Sequence, residues 1–271
     1  MTGAVTVDSV WRDVCAVRER SPLVHNITNY VVMNSTANAL LAIGASPVMA
    51  HATEEVADMV GIASALVVNI GTLSPAWVEA MELAARAARD RGIPVALDPV
   101  GAGATPYRTK TAHALLDDTP PTLVRGNASE IMALVTSTSA ARGVDSVDAP
   151  SAALDAARQL QHRFGAVVAV TGATDYVVAD GATIRIDNGH PLMARVTGLG
   201  CTATALCGAF LAVNPDPASA AASALIVTGV AGELAAERAE GPGTLQLYLL
   251  DALHNLSRAQ LEARMRAEVT G

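Results

Sequence analysis

The sequence predicts a three-layer α/β sandwich, a mostly parallel central sheet with helices on both faces, and three observations carry that reading. Short β-branched runs alternate with longer Ala- and Leu-rich stretches between residues 23 and 186, the pattern of βαβ crossovers. Runs such as Leu66-Val67-Val68-Asn69-Ile70 and Val167-Val168-Ala169-Val170 lack polar alternation, which marks strands buried on both faces. The intervening stretches carry helix punctuation: Ser74 caps a helix that has Pro75 at its first position and stops before Gly92.

In chain order, strands are expected at 23–27, 47–50, 65–70, 94–100, 122–124 and 166–170, with a helix at 75–91. Residues 137–150 are the best loop candidate, and a helix at 151–164 stops before Gly165. The runs 176–179 and 183–186, joined across Asp180-Gly181, look like an antiparallel hairpin. After Gly198 the pattern is helical, at about 200–213, 216–240 and 243–268. No linker or break in composition divides the chain, so one domain is expected over 1–271. The most apolar stretch, about 218–231, is Ala-rich, shorter than a membrane span, and reads as a buried helix.

Composition removes several function classes. The chain is 51% hydrophobic but only 3% aromatic, so a sizeable core must be built from Ala, Val, Leu and Ile. A net charge of −8 argues against a nucleic-acid groove or an anionic membrane surface. Lys110 is the single lysine and no glycine precedes it, which excludes a Walker A loop and, with no HRD loop, a protein kinase. Cys15, Cys201 and Cys207 form no Cys-x-x-Cys and no zinc spacing, as expected of a reduced, cytoplasmic chain. The first residues lack the pattern of a signal peptide. The six histidines form no metal-binding pair, and no Gly-x-Ser-x-Gly elbow supports a serine hydrolase.

Ligands of open parallel sheets bind outside the carboxyl ends of the strands. Four strand ends there are polar or glycine-rich: Asp98-Pro99-Val100-Gly101-Ala102-Gly103, Val124-Arg125-Gly126-Asn127, Val170-Thr171-Gly172 and Thr197-Gly198-Leu199-Gly200-Cys201. In the last, two glycines ahead of a helix let its amides approach an anion, and Cys201 would feel the positive helix end, which lowers a thiol pKa. A small buried residue at a tight turn is the plainer alternative. Asp98 is placed to hold a hard cation through waters and phosphates, or simply to form an Asx-turn. Glu130 could reach a metal-bound water, or merely complete a capping box with Asn127. Arg125 could contact phosphate or solvent, and Thr171-Gly172 could hold phosphate or be a plain turn. Cys207, six residues after Cys201, points away from it and is expected in the core.

Taken together, Asn26-Ile27-Thr28-Asn29-Tyr30-Val31, Ala45-Ser46-Pro47-Val48-Met49-Ala50, Asn69-Ile70-Gly71-Thr72-Leu73, the Asp98–Gly103 run, Arg125-Gly126-Asn127-Ala128-Ser129-Glu130-Ile131 and Thr197–Cys201 resemble hydroxyethylthiazole kinase. The likeness runs from about residue 21 to 235. It implies a ribokinase-like fold without a separate lid domain, and transfer of the ATP γ-phosphate to the hydroxyl of 4-methyl-5-(2-hydroxyethyl)thiazole, a step of thiamine salvage. It further implies Mg²⁺ and a homotrimer with active sites between subunits. Carried over by motif, Met49 and Gly198 would bind the thiazole, Arg125 and Thr171 the ATP phosphates, and Asp98 and Glu130 would organise Mg²⁺. Cys201 stands where ribokinase-like enzymes usually place an aspartate base, and would be the catalytic residue.

Other readings are a pyridoxal, pyrimidine or sugar kinase of the same fold, or a nucleotide-dependent cofactor-repair dehydratase. Both would carry an acid at position 201. A dinucleotide oxidoreductase using Gly198-Leu199-Gly200 lacks the ribose-binding acid about 20 residues on, since position 221 is alanine. A silent small-molecule binding protein is the remaining alternative, against which Asp98, Glu130 and Cys201 stand.

Overall fold

The computed structural model describes residues 5–136 and 149–270. The chain opens with helix α1 (Val7–Arg20), then β1 (Leu23–Ile27), α2 (Met33–Ile43), β2 (Ser46–Val48), α3 (Val56–Ile62) and β3 (Ala65–Asn69). It continues through α4 (Pro75–Arg91), β4 (Val95–Asp98), α5 (Pro106–Asp118), β5 (Leu123–Asn127), α6 (Ala128–Val135), α7 (Ala149–Phe164) and β6 (Val167–Thr171). The hairpin β7 (Asp175–Ala179) and β8 (Ala182–Ile186) follows, then a 3₁₀ turn (Pro191–Arg195) and α8 (Leu199–Leu211). Helices α9 (Pro217–Ala236), α10 (Pro242–Asn255) and α11 (Arg258–Arg264) lead to a last strand, β9 (Ala267–Thr270).

The sheet order is β2-β1-β3-β4-β5-β6-β7-β8-β9. The pairings from β2 to β6 are parallel, and those from β6 to β9 are antiparallel. One apolar layer joins α1, α2, α8, α9, α10 and α11 to one face of the sheet, through Leu40, Leu206, Phe210, Ile226 and Leu245. A second joins α3 to α7 to the other face, through Val60, Trp77, Met81, Leu116 and Ile131. With so few aromatics the layers close by small-residue contact. A Cβ at Gly208 would stand 2.6 Å from Val67 Cγ2, so α8 lies directly on β3.

Several expected boundaries differ. The strand expected to reach residue 100 ends at Asp98, because Pro99 has no N–H to give the ladder. The strand expected at 122–124 runs on to Asn127, paired to β6. Of the candidate loop 137–150, residues 137–148 lie outside the described residues, and α7 has begun by Ala149. The helix expected over 243–268 is two helices and a strand. Ser257 starts α11 with a capping box to Gln260, and β9 then pairs antiparallel with β8. The apolar segment is longer than expected: α9 has 20 residues, enough by length and composition to cross a membrane, but it is almost wholly buried between its neighbouring helices and the sheet.

Candidate active site

Because strand side chains alternate, Asn69, Asp98, Arg125 and Thr171 share the sheet face beneath α8, each at or near the carboxyl end of its strand. Asp98 is completely buried. Its Oδ2 accepts hydrogen bonds from the Thr204 hydroxyl at 2.8 Å and from Asn69 Nδ2 at 2.9 Å, and Arg125 Nη1 lies 4.0 Å away. Its Oδ1 is buried without a partner. Burial pushes this carboxyl up to about 6, against the pull of the Arg125 charge and the two donors. The Asn69 amide cannot turn round, since its Oδ1 accepts from Gly71 N–H and from Asn29 Nδ2, both at 2.9 Å.

Arg125 is not the solvated arginine of the plainer reading. Its side chain is 12% exposed and its Nη2 donates to Thr171 Oγ1, while Nε is buried without a partner. Thr171 in turn donates weakly to the Gly126 carbonyl, at 3.3 Å. The guanidinium fits under the first turn of α8 because residue 200 is glycine: a Cβ there would sit 2.8 Å from Nη1. The amide of Gly172, expected to be open to phosphate, is already given to Asp175 Oδ1 at 2.9 Å. Burial pushes the Asp175 carboxyl up to about 6 as well.

Helix α8 begins at a left-handed Gly198 (φ +82°), where a Cβ would be 2.3 Å from Val32 Cγ1. Its first internal bond is Thr202 N–H to the Gly198 carbonyl, so the amides of Leu199, Gly200 and Cys201 precede the helical ladder and no side chain caps them. Cys201 lies in that turn with Asn29 Nδ2 at 3.5 Å from its sulfur. The expectation of a lowered thiol pKa is reversed. Burial, and then the Asp98 charge, raise it and outweigh the amide donors. Cys207 is fully buried in the core and pushed up to about 12 by burial, and all three cysteines are free.

Glu130 does form the capping box. Asn127 Oδ1 accepts from its amide at 3.0 Å, and its Oε2 accepts from Asn127 N–H at 2.9 Å. Its Oε1 reaches across to Gly101 N–H, also at 2.9 Å, which joins the loops after β4 and β5. Beside this cluster a cleft of about 550 Å³ is lined by Arg125, Thr171, Asp175, Asn188, His190 and Gly200 among others. Met49 is not brought to it. It follows the edge strand β2, three strand spacings (about 14 Å) from β4. Near it His51, Tyr30 and Trp77 pack ring against ring.

The sequence profile described as the hydroxyethylthiazole kinase family matches residues 14–259. The chain belongs to that family. It is 60% identical to a hydroxyethylthiazole kinase of Syntrophus aciditrophicus (strain SB) over 263 residues, 97% of each chain. It is 54% identical to another from Leptothrix cholodnii over 276 residues, covering 100% of this chain and 99% of that one. Among solved structures, the hydroxyethylthiazole kinase of Pyrococcus horikoshii OT3 superposes with a TM-score of 0.91 at 42% identity, covering 97% of this chain and all of that one. A Staphylococcus aureus pyridoxal kinase (TM-score 0.62, 15% identity, 92% and 98% coverage) shares the fold alone. The architecture is therefore the ribokinase-like α/β sandwich.

All the residues singled out from the sequence lie inside the stretch matched to hydroxyethylthiazole kinases. The structure gathers Asp98, Arg125, Thr171, Gly198 and Cys201 around the start of α8, with Glu130 one loop away. Asn69, Thr204 and Asp175 were not assigned roles from sequence. The signal for Asn69 was a polar residue ending the apolar run Leu66-Val67-Val68, in register with Asp98. Thr204 had only its spacing, one helical turn after Cys201.

Proposed function

We propose that this kinase transfers the γ-phosphoryl group of ATP to the hydroxyl of 4-methyl-5-(2-hydroxyethyl)thiazole at the first turn of α8, in the supply of thiamine. The observation that carries the reading is the convergence on that turn of three uncapped amides, an enclosed arginine and a buried carboxylate with one free oxygen. Phosphoryl transfer needs alignment and charge neutralisation more than covalent help from the protein. Arg125 and Thr171 line the cleft and are assigned to the ATP phosphates. The amides of Leu199, Gly200 and Cys201 are assigned to the transferring group.

A divalent cation fits this donor set. Asp98 Oδ1 is buried and unpaired, and the Glu130 carboxylate is near enough for its charge to raise the Asp98 pKa. Among the described residues no three His, Cys, Asp or Glu side chains form a metal cage. Asp98 and Glu130 would therefore hold Mg²⁺ together with waters and phosphate oxygens, the habit of that ion. When bound, the ion offsets charge on the β- and γ-phosphates.

Gly198 and Met49 are assigned to the thiazole. Met49 follows the edge strand β2, away from the cleft, and in the loop after the neighbouring β1 Tyr30 and Val31 are 64% and 70% exposed. That separation supports the homotrimer with sites shared between subunits, which a measured solution mass would check. A thiol whose pKa is raised by burial offers little thiolate at neutral pH. Cys201 is accordingly assigned to the reacting hydroxyl chiefly as a contact, with proton acceptance confined to its small ionised fraction.

The test is ADP release from ATP and Mg²⁺ with and without hydroxyethylthiazole. Thiazole-dependent release that is lost in Asp98→Ala is the expected result. Release indifferent to the thiazole would direct the activity to another alcohol or to the dehydratase chemistry.

A further inference from the structure

Arg108 is a half-buried cation with no part in the chemistry described so far. It occupies the third position of α5, after the Thr105 cap and Pro106. A positive charge is unfavourable in the first turn of a helix, where the backbone dipole already presents its positive end. Its donors explain its presence. Nη1 reaches the carbonyls of Ile70 and Val100 at 2.9 and 2.7 Å, and Nη2 the carbonyl of Gly71 at 2.9 Å. One planar guanidinium thus bonds the loop after β3 to the loop after β4, with charge-assisted hydrogen bonds at both ends.

Those two loops carry the supports of the carboxylates. Gly71 N–H holds Asn69 Oδ1, and Asn69 Nδ2 holds Asp98 Oδ2. On the other side Gly101 N–H holds Glu130 Oε1 at 2.9 Å. Gly101 is left-handed (φ +73°) and a Cβ on it would stand 3.1 Å from Arg108 Cδ, so the arginine stem also fixes that turn by contact. The chain of bonds runs from Glu130 through Gly101 to Arg108, then through Gly71 and Asn69 to Asp98.

We propose that Arg108 sets the separation of Asp98 and Glu130 by locking these two loops together, and is a positioning residue for phosphoryl transfer. The inference rests on the kinase reading above. Lysine in its place keeps the charge but cannot span three carbonyls in one plane. A displacement of about 1 Å at a reacting site can cost about 100-fold in rate.

The experiment compares Arg108→Lys with wild type by kcat, KM for ATP, Tm, and Mn²⁺ binding followed by electron paramagnetic resonance in the presence of a non-hydrolysable ATP analogue. Arg108→Gln is the second variant, should the lysine protein not fold. The expected result is a kcat about 10–100-fold lower with KM for ATP within about 2-fold, and Mn²⁺ binding weakened about 10-fold. Leu253→Val, a core change on α10, serves as a control of comparable Tm loss, and it should keep both kcat and Mn²⁺ binding. Unchanged kcat and Mn²⁺ binding in Arg108→Lys would overturn the assignment, as would equal losses in the control. Wild-type protein with no thiazole-dependent turnover would instead remove the kinase reading on which the assignment stands.

Discussion

Replacing Asp98 by asparagine should make the metal-free protein more stable at neutral pH while abolishing its activity. The folded-state carboxyl titrates near about 6 and not at the usual 3.8, chiefly because it is buried. Between those values the folded chain binds more protons than the unfolded chain, so stability falls as pH rises through that window and levels off above it. At about 1.36 kcal/mol per pH unit, the ionised Asp98 costs the fold about 3 kcal/mol at pH 7.5. Asparagine can keep one carbonyl facing Thr204 and Asn69, but it gives up the charge-assisted strength of those bonds, so a net gain of about 1–3 kcal/mol is expected. For a chain of this size that is a Tm rise of about 3–8 °C. Thermal denaturation in EDTA at a series of pH values would show it. The Asp98→Asn advantage should be present at pH 7.5, shrink as the pH falls through about 6 towards about 4, and vanish below about pH 3, where the wild-type carboxyl is protonated in both states. Part of the wild-type slope will persist in the variant, because Asp175 titrates over the same window. A variant less stable than wild type at pH 7.5 would refute the reasoning, since it would mean that Arg125, Thr204 and Asn69 overcompensate the burial of the charge. With Mg²⁺ and substrates present, kcat should fall by at least about 10³-fold.

Other substitutions probe the same turn. Gly200→Ala places a Cβ 2.8 Å from Arg125 Nη1; it should raise KM for ATP about 10-fold with little change in Tm, because only the end of a flexible side chain must move. Gly198→Ala meets both a φ of +82° and Val32 Cγ1 at 2.3 Å, and should cost about 2–4 kcal/mol in denaturant titration. Cys201→Ala should lower kcat less than about 10-fold, and a loss of 100-fold or more would restore the thiol as an essential base. Thr204→Val removes a donor from Asp98 Oδ2, so the acid limb of the kcat/KM profile should move to higher pH.

The fold was legible because its signals are local. The β-branched runs Leu66-Val67-Val68 and Val167-Val168-Ala169-Val170 form buried strands and Ser74-Pro75 opens a helix, each as signalled by residues adjacent in the chain. Strand ends follow from the same pattern, which places Asp98, Arg125 and Thr171; Gly198, expected at a strand end as well, instead follows the 3₁₀ turn Pro191–Arg195 and opens α8. The helix expected to run to 268 stops short because Ala267 and Glu268 become a strand only by pairing with Ile186 and Arg185, more than 80 residues earlier. Local propensity has no access to such a partner.

By itself, then, the sequence determined that Asp98, Arg125 and Thr171 stand near the carboxyl ends of their strands, since a period-two pattern sets a side chain's face; where each strand stops, at Asp98 before Pro99 and at Asn127 beyond Gly126, was decided by pairing. Protonation and mutual support were decided by the tertiary structure. Cys201 sits at a helix N-terminus, which alone would favour its thiolate, yet burial beside Asp98 reverses the sign. Met49 belongs to a motif next to the others in sequence order, but the strand order places it at the sheet edge, away from the cleft. Arg108 looks like an ordinary helix-surface arginine until the loops after β3 and β4 are brought together around it. Desolvation, strand order and long-range hydrogen bonds depend on neighbours contributed by distant segments, and those neighbours exist only once the chain has folded.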